Sequence, residues 1–271
     1  MRKLAATFCL TLAVLLGSVS ISTSGALKRG LSAYKSGNYA TALREWTPLA
    51  KRGNKVAQNN LGVMYRKGKG VPRDHKTAVQ WYRLSAKQGF AYAQYNLGFM
   101  YEKGQGVPQD YKSAVKWYIL AAKQGHAKSQ FILGWMSRKG KGVPQDYKTA
   151  VQWFKLAAKQ GFARAQLHLG NMYSKGQGVP QDHKTAVNWY RLAAEQGHAK
   201  SQSILGWMYA QGYGVVKDKV YAHMWFNIAV SNGQKDVLKN RNAVAKELTP
   251  ADFAAAQKLA RECVRKNYKG C

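Results

Sequence analysis

Two Ser-x-x-Lys tetrapeptides are the residues of this sequence that come nearest to a covalent catalytic motif. They lie at Ser32–Lys35 and Ser113–Lys116. In penicillin-recognising enzymes this motif carries the acylating serine, and companion Ser-Asp-Asn and Lys-Thr-Gly motifs complete the site. The chain contains neither companion, and its 43 basic residues make chance matches frequent. We therefore expect no enzyme and no catalytic residue, and β-lactam binding or weak hydrolysis stays a remote alternative.

The histidines do not form a metal site by their spacing. The chain has 6 of them, and none stands in a His-x-x-x-His or His-Glu-x-x-His arrangement. Those spacings would place two zinc ligands on one face of a helix. We expect no metal and no cofactor.

The N-terminus has the layout of a secretory signal peptide. Arg2 and Lys3 precede an apolar run over residues 4–17, and small residues follow up to a small-x-small site at Ser24-Gly25-Ala26. The run is short for a membrane span, which needs about 20 residues. We expect a signal peptide at 1–26 and an exported protein, periplasmic or secreted. An uncleaved N-terminal anchor is the alternative, and no later segment could span a bilayer.

Export changes the interpretation of the cysteines. Removal of the signal peptide would leave Cys263 and Cys271 in an oxidising compartment, where disulfides form and persist. A bridge between them would close a loop at the end of the chain and contribute roughly 2.5 kcal/mol in the loop-entropy model. We expect a structural disulfide, because no Cys-x-x-Cys redox motif is present.

A 36-residue repeat organises most of the chain. Tryptophan, glycine and aspartate all recur with this step, and such a period is typical of helical solenoids. The recurring tryptophans lie in the context Ala-x-x-Trp-aromatic, which predicts packing rather than a stacking ladder for a ligand. They are Trp81, Trp117, Trp153, Trp189 and Trp225.

Each repeat predicts two helices joined by a short turn. Gly104 can end the first helix in a left-handed conformation, and Gly-x-Gly-Val-Pro forms the turn. Asp110 then stands where it can cap the second helix. Gly98 in mid-helix costs about 1 kcal/mol of helix propensity, so its recurrence predicts a close helix crossing.

These residues resemble a known family. The pattern A-x-x-x-L-G-x-x-Y-x-x-G-x-G-V-x-x-D-x-x-x-A-x-x-W-[YF]-x-x-A-A-x-x-G is similar to the Sel1-like repeat, a relative of the tetratricopeptide repeat. Ser137 in place of tyrosine and Val216 in place of proline are the departures. The resemblance implies an all-α fold, a right-handed α/α solenoid, and an adaptor or scaffold function. Cysteine-rich members have been described as β-lactam-binding, but this chain lacks their paired cysteines.

The repeat sets the predicted domain boundaries. A degenerate helical repeat covers 27–53, and a C-terminal helical cap covers 234–271, where the period is lost. In the cap, Thr249 starts a helix that carries one apolar face. Five repeats lie between them, at 54–89, 90–125, 126–161, 162–197 and 198–233.

Comparison of the five repeats with one another predicts a binding face. On the first helix of each repeat some positions barely change, as packing requires, while others vary freely and fall on a separate arc of the helix. We call this arc the varied face; it consists of positions 56, 59, 60, 63 and 66 of the first repeat and the positions that follow them at steps of 36 residues. Aromatic rings beside Arg and Lys suit a protein or peptide partner, although some of the rings could instead pack on adjacent helices. The predicted partner-binding residues are Tyr92, Tyr95, Phe99, Lys128, Phe131, Trp135, Arg138, Arg164 and Trp207.

The positive charge is large and spread along the chain. With 43 Lys and Arg against 12 Asp and Glu, the formal net charge is +31. Such a surface attracts anions and is screened by salt. Anionic envelope polymers or lipid headgroups are therefore the alternative partners, and a merely solubilising surface is a third interpretation. We do not expect nucleic acid as the physiological partner of an exported protein.

Overall fold

The computed structural model describes residues 23–271, so most of the predicted signal peptide lies outside the described residues. The chain divides into two compact units, and the boundary in the sequence falls between Gln124 and Gly125. The described residues are α-helical apart from turns and one short 3-10 helix, and they contain no strand. The predicted all-α architecture of repeated helix pairs is confirmed.

The described part of the first unit, from residue 23 onwards, contains six helices. Residues 23–35 form α1. The others are α2 (Tyr39–Lys51), α3 (Lys55–Lys67), α4 (His75–Lys87), α5 (Ala91–Lys103) and α6 (Tyr111–Lys123).

The second unit continues the same helix pairs and ends in additional short elements. Its helices are α7 (Ala127–Lys139), α8 (Tyr147–Lys159), α9 (Ala163–Lys175), α10 (His183–Ala194), α11 (Ala199–Gln211) and α12 (Lys219–Ser231). After them come a 3-10 turn (Lys235–Val237), α13 (Leu238–Ala245) and α14 (Pro250–Arg265). We refer to residues 234–271 as the cap.

The helix ends agree with the sequence-based assignment. The first helix of each repeat, which we call helix A, ends at a glycine with positive φ, such as Gly104 at 65°. The second, helix B, begins after an aspartate whose carboxylate accepts backbone N–H groups of the first turn, as Asp110 does from Lys112 and Ser113. These contacts satisfy groups that a helix end leaves without partners.

The mid-helix glycines permit the close crossing that their recurrence predicted. A Cβ added at Gly98 would lie 2.9 Å from the ring of Tyr118, and one at Gly62 would lie 2.6 Å from the ring of Tyr82. Helix B therefore places an aromatic ring directly against the backbone of helix A. These rings belong to the buried core, in which aromatic packing contributes much of the burial.

The recurrent tryptophans pack, but four of them are less buried than the aromatic residue that follows each. Trp81 and Trp117 pack at the edges of apolar clusters in the first unit, and Trp189 does so in the second. Trp225 alone among the five is fully buried. Packing was the predicted role for this series.

Within each unit, a buried glutamine near the start of helix A connects a repeat to the one before it. Gln88 donates from Nε2 to Oε1 of Gln58 at 2.8 Å, and Gln58 in turn donates to the carbonyl of Ala50 at 3.1 Å. In the second unit, Gln196 donates to Oε1 of Gln166 at 2.8 Å in the same way. The pair of Gln88 and Gln58 lies within one repeat, whereas the bond from Gln58 reaches a carbonyl of the preceding helical segment. Because buried polar groups need partners, this second bond fixes the offset between one repeat and the one before it.

Both ends of the described chain are packed. In α1, a Cβ added at Gly30 would overlap the indole of Trp46, and that indole donates to the carbonyl of Leu27 at 3.4 Å. The predicted cleavage position after Ala26 would leave these contacts in place. None of the helices within residues 23–271 combines the length and apolarity that crossing a membrane would require.

The cap covers the last repeat. Ala256 and Ala260 of α14 are buried, and Ala260 joins the apolar cluster that includes Trp225 and Ile228 of α12. A disulfide joins Cys263 to Cys271, with the two Cα atoms 5.6 Å apart. It closes the end of the cap over the buried side of α14.

Candidate functional site

The varied face is carried by helix A of each repeat: α3 and α5 in the first unit, and α7, α9 and α11 in the second. Its side chains range from buried to well exposed. Tyr92 is the most exposed aromatic residue of the series, at 59%, and Trp207 follows at 45%. Lys128 and Arg164 are also exposed.

In the first unit, Tyr92, Tyr95 and Phe99 lie along α5. The ring of Tyr92 lies 5.6 Å from that of Phe90, and the half-buried ring of Tyr95 lies 5.9 Å from that of Tyr118. Phe99 is also half-buried and packs against the apolar cluster of α4 and α5. Tyr92 thus presents most of its ring to solvent, while the other two also stabilise the fold.

Two cations flank the ring of Phe99. The guanidinium carbon of Arg66 lies 5.6 Å from the ring centroid, and Nζ of Lys103 lies 5.9 Å from it. Both distances are within the range for attraction between a cation and an aromatic face. Lys103 also pairs with Glu102 at 2.7 Å. The ring of Phe99 therefore has a cation on each of two sides, and the cation of Lys103 is paired with a carboxylate.

Buried phenols hold two of these groups in place. Nε of Arg66 donates to the hydroxyl of Tyr82 at 3.1 Å, and the hydroxyl of Tyr118 donates to Glu102 at 2.7 Å. Burial raises the pKa of Tyr82 to about 12. Burial, and then the charge of Glu102, raise the pKa of Tyr118 far above its usual range. Both phenols therefore stay protonated and neutral at physiological pH.

In the second unit, Phe131, Trp135 and Arg138 lie along α7. Phe131 contacts the rings of Phe154 and Phe162 with centroid distances of 5.8 and 5.2 Å. Trp135 packs on the cluster of α8 and α9, and Nζ of Lys141 lies 5.3 Å from its ring centroid. These half-buried rings contribute to packing and keep part of their surface in solvent.

His168 of α9 lies beside these rings. Its imidazole stacks on Phe154 at 5.2 Å with an interplanar angle of 11°. Burial, and then the positive charge of Arg138, lower the pKa of His168 to about 4. Nε of Arg138 is itself buried without a hydrogen-bond partner among the described residues. The histidine is therefore neutral at physiological pH and behaves as an aromatic packing residue.

The exposed aromatic pair of the second unit lies at the end of α11. The ring of Trp207 stacks on Tyr213 at 4.9 Å with an interplanar angle of 22°, and Tyr213 is itself 42% exposed. His183 lies 5.2 Å from Tyr213. Tyr213 precedes the turn glycine Gly214, and the variation argument, which was confined to helix A, did not single it out.

Variation between repeats did not always mean exposure. Asn59, Leu167 and Ser203 occupy one position of the varied face and are 7–8% exposed. The reason is that this position lies between neighbouring A helices, where Asn96 donates to Oδ1 of Asn59 at 2.9 Å. The residue differs from repeat to repeat because its neighbour differs too.

The candidate catalytic serine Ser113 and two of the histidines make hydrogen bonds that cap helices. The hydroxyl of Ser113 donates to the capping carboxylate of Asp110 at 2.6 Å. His126 and His198 cap α7 and α11, each accepting a backbone N–H at Nδ1. Residues 23–271 contain no cluster of three or more side chains able to hold a metal ion.

Comparison with known proteins gives a consistent result. The Sel1 repeat family model matches five consecutive segments, at residues 55–90, 91–126, 127–162, 163–198 and 199–234. A search of curated proteins gave no significant match. The chain is similar to a Sel1 repeat protein from Oxalobacter formigenes whose crystal structure is known, with 36% identity and a TM-score of 0.74. That match covers 87% of this chain and 96% of the other.

A second solved structure is similar in sequence over a longer part of the chain. It is c5321, a protective antigen present in uropathogenic Escherichia coli strains and displaying an SLR fold. The identity is 29%, and the match covers 91% of this chain and 70% of that one. The TM-score is 0.44.

Proposed function

Because the chain belongs to the Sel1 repeat family, we propose that it is an exported, non-enzymatic adaptor that binds a protein or peptide partner on the varied face of its A helices. Sel1 repeats generally mediate protein interactions. The partner, the export and the position of the binding surface are parts of the proposal.

The observation that carries the proposal is the exposure of large aromatic rings on this face. Tyr92 in the first unit and Trp207 in the second keep 59% and 45% of their surface in solvent. Tyrosine and tryptophan are the residues that most often dominate the energetics of protein interfaces. A ring held at one edge by neighbouring rings loses little conformational freedom on binding, which favours affinity.

The charges near the rings suggest the chemistry of the partner. Phe99 is flanked by Arg66 and Lys103, and Trp135 by Lys141. A segment that alternates apolar and acidic side chains would match both features. Its apolar groups would cover the rings and its carboxylates would meet the cations.

The test is a pull-down of the tagged full-length protein from its own cell envelope at low and high salt. The informative variant is the double substitution of Tyr92→Ser and Trp207→Ser, because both side chains are exposed and their loss leaves the core intact. We expect one defined protein to be retained at high salt and lost with this variant.

A matched control removes the same kind of surface from the opposite helices. Leu120 of α6 and Leu192 of α10 are both 44% exposed on helix B, so Leu120→Ser with Leu192→Ser should leave binding unchanged. Equal loss in both double variants would show that general surface apolarity, rather than the varied face, holds the partner. That result would contradict the proposal.

A second candidate is supported by the charge. The excess of 31 positive charges favours an anionic envelope polymer or lipid surface held by diffuse attraction. Such binding would fall steeply between low and high salt and would be indifferent to both double variants. Retention of polymer with that behaviour, and of no defined protein, would establish this function instead.

Export has its own test. N-terminal sequencing of the protein recovered from outside the cytoplasm should find Leu27 or a residue next to it as the first residue. Recovery with Met1 intact in the membrane fraction would support the uncleaved anchor.

A further inference from the structure

A cavity of about 430 Å³ lies in the second unit where the cap meets the last repeat. Its volume is within the range of sites for small organic ligands. It is formed by side chains of α12, α13 and α14 and by the residue after α13. They are His223, Asn227, Arg241, Asn242, Ala245, Lys246, Phe253 and Gln257.

His223 is the feature that marks this cavity as more than a packing defect. It is only 3% exposed, yet its Nδ1 has no hydrogen-bond partner among the described residues. A buried polar atom without a hydrogen-bond partner lowers the stability of the folded protein by about 1–3 kcal/mol. Such an atom therefore needs an explanation, and a bound ligand that supplies the missing partner is one.

The repeats provide an internal reference for this position. Steps of 36 residues from His223 lead to Val187, Val151, Val115 and Val79, all of them buried and apolar. Packing at this position is therefore satisfied by valine. The last repeat departs from it with His223, whose side chain lines the cavity.

Arg241 supplies the positive charge. Its Nε and Nη2 donate to the same oxygen, Oδ1 of Asn242, at 3.1 and 2.9 Å, and Nη1 lies 3.5 Å from Oδ1 of Asn227. The Nε and Nη2 edge of a guanidinium is suited to a bidentate carboxylate. Here that edge meets only the amide oxygen of an exposed side chain, which a carboxylate could displace.

The rest of the lining agrees with an anionic ligand that has a flat apolar part. Lys246 adds a second cation, and the lining contains no carboxylate. Phe253 provides an aromatic surface, with its ring 5.0 Å from the imidazole of His223. Asn227 and Gln257 offer amide groups for orientation.

We propose that this cavity binds a small aromatic carboxylate, with its carboxylate on Arg241, its ring against Phe253 and a polar substituent meeting Nδ1 of His223. The site is separate from the varied face and does not depend on the adaptor function. It would make the cap a ligand-binding element as well as a cover for the last repeat.

The test is calorimetric titration of the full-length protein with 4-hydroxybenzoate at 150 mM NaCl. We expect saturable binding of one ligand per chain. Arg241→Gln should weaken it about tenfold or more, since it removes charge-assisted hydrogen bonds. His223→Val, which installs the residue of the other repeats, should weaken it several-fold without unfolding the protein.

Controls separate the site from general attraction by a basic protein. Arg261→Gln removes one positive charge from the exposed side of α14 and should leave binding unchanged. The neutral 4-hydroxybenzamide should bind at least tenfold more weakly. Absence of saturable binding, equal weakening by Arg261→Gln and Arg241→Gln, or equally tight binding of inorganic phosphate would each overturn the proposal.

Discussion

Helix α12 differs from the B helices of the earlier repeats in what covers its outer side. At one repeat position, Leu84 in the first unit and Leu192 in the second are 48% and 44% exposed. The equivalent residue of α12 is Ile228, which is 1% exposed because the cap packs against it. The same helix design therefore faces solvent within the repeat series and becomes core at its end.

The comparison shows how a repeat protein ends. A terminal repeat leaves an apolar surface without a neighbour, and a cap with a polar outer face must cover it. In α12 the adaptation reaches several positions, since Trp225 is fully buried and His223 replaces a valine. Trp225 keeps the residue type of the repeat but is more buried than its equivalents, whereas His223 changes the residue type as well.

The largest expected effect comes from Ile228→Ala. Truncation of a fully buried isoleucine should lower the free energy of unfolding by about 2–5 kcal/mol, because it leaves a cavity between α12 and the cap. Leu192→Ala, at the equivalent exposed position, should change it by less than about 1 kcal/mol. Urea unfolding of the two variants measures the difference, and equal effects would mean that the cap does not seal α12.

The next effect is the loss of the disulfide between Cys263 and Cys271. Opening the loop should destabilise the cap by roughly 2.5 kcal/mol. Amide hydrogen exchange with and without reductant should show faster exchange in α14 and α12, and no change in α8. Uniform acceleration in all helices would show that the cap and the repeats unfold as one unit.

For His223→Val we expect a smaller change in the free energy of unfolding, and an increase rather than a decrease. The substitution removes the unpartnered buried Nδ1, so it should raise the free energy of unfolding of the unliganded protein by about 1 kcal/mol. Binding sites often sacrifice stability in this way. Thermal unfolding of the two variants measures this: the melting temperature should rise for His223→Val and fall for Val187→Ala, which shortens a buried side chain. A melt of His223→Val at or below the wild-type temperature would mean that the histidine contributes to packing.

The smallest effect concerns the caps of α10 and α12. The hydroxyl of Thr185 donates to Asp182 at 2.6 Å, and this bond is the main reason why the pKa of Asp182 is lowered. In α12 the position of Thr185 is taken by Tyr221, and Asp218 accepts only its backbone N–H. Thr185→Val should therefore move the pKa of Asp182 back towards its usual range, which an NMR titration would show.

The sign of the pH dependence follows from the lowered pKa. Because the folded protein holds Asp182 ionised to lower pH than the unfolded chain does, its stabilising contribution is complete above the unfolded pKa. It is lost as the pH falls through the lower, folded value. If the pKa of Asp182 were unchanged in Thr185→Val, the backbone N–H groups would be the cause of the lowered pKa instead.

Much of the fold could be predicted from the sequence because each cap residue and each mid-helix glycine recurs at the same position in five repeats. The role of Gly98 followed from its recurrence in mid-helix, and the added Cβ would indeed approach Tyr118. Asp110 and Gly104 were assigned as caps for the same reason, and both are. A helix cap depends only on residues that are close in the chain, so its position can be predicted directly from the sequence.

The site was harder to predict because exposure depends on neighbours far along the chain. Variation suggested that Leu167 lies on a free face, whereas it is buried between helices. The spacing of metal ligands does not reveal His223, because that spacing relates histidines only to one another. Comparison with Val187, 36 residues earlier, would have identified it as a departure from the repeat. Arg241 lies outside the repeat, so no internal reference existed for it.

The buried glutamine of each helix A has a consequence for how repeat proteins of this kind change in length. Gln196 pairs with Gln166, and Asn232 donates to Gln202 at 2.9 Å across the same 30-residue interval. Each of these pairs lies within one repeat, and the glutamine of helix A also donates to a carbonyl of the preceding repeat, as Gln202 does to Ala194 at 3.1 Å. Unequal crossing-over between the DNA segments encoding the repeats would add or delete 36 residues and still place a helix A glutamine opposite the same carbonyl at the new boundary. Copy number can therefore drift within a lineage, while the cap, which fits only the last repeat, is inherited as a single block.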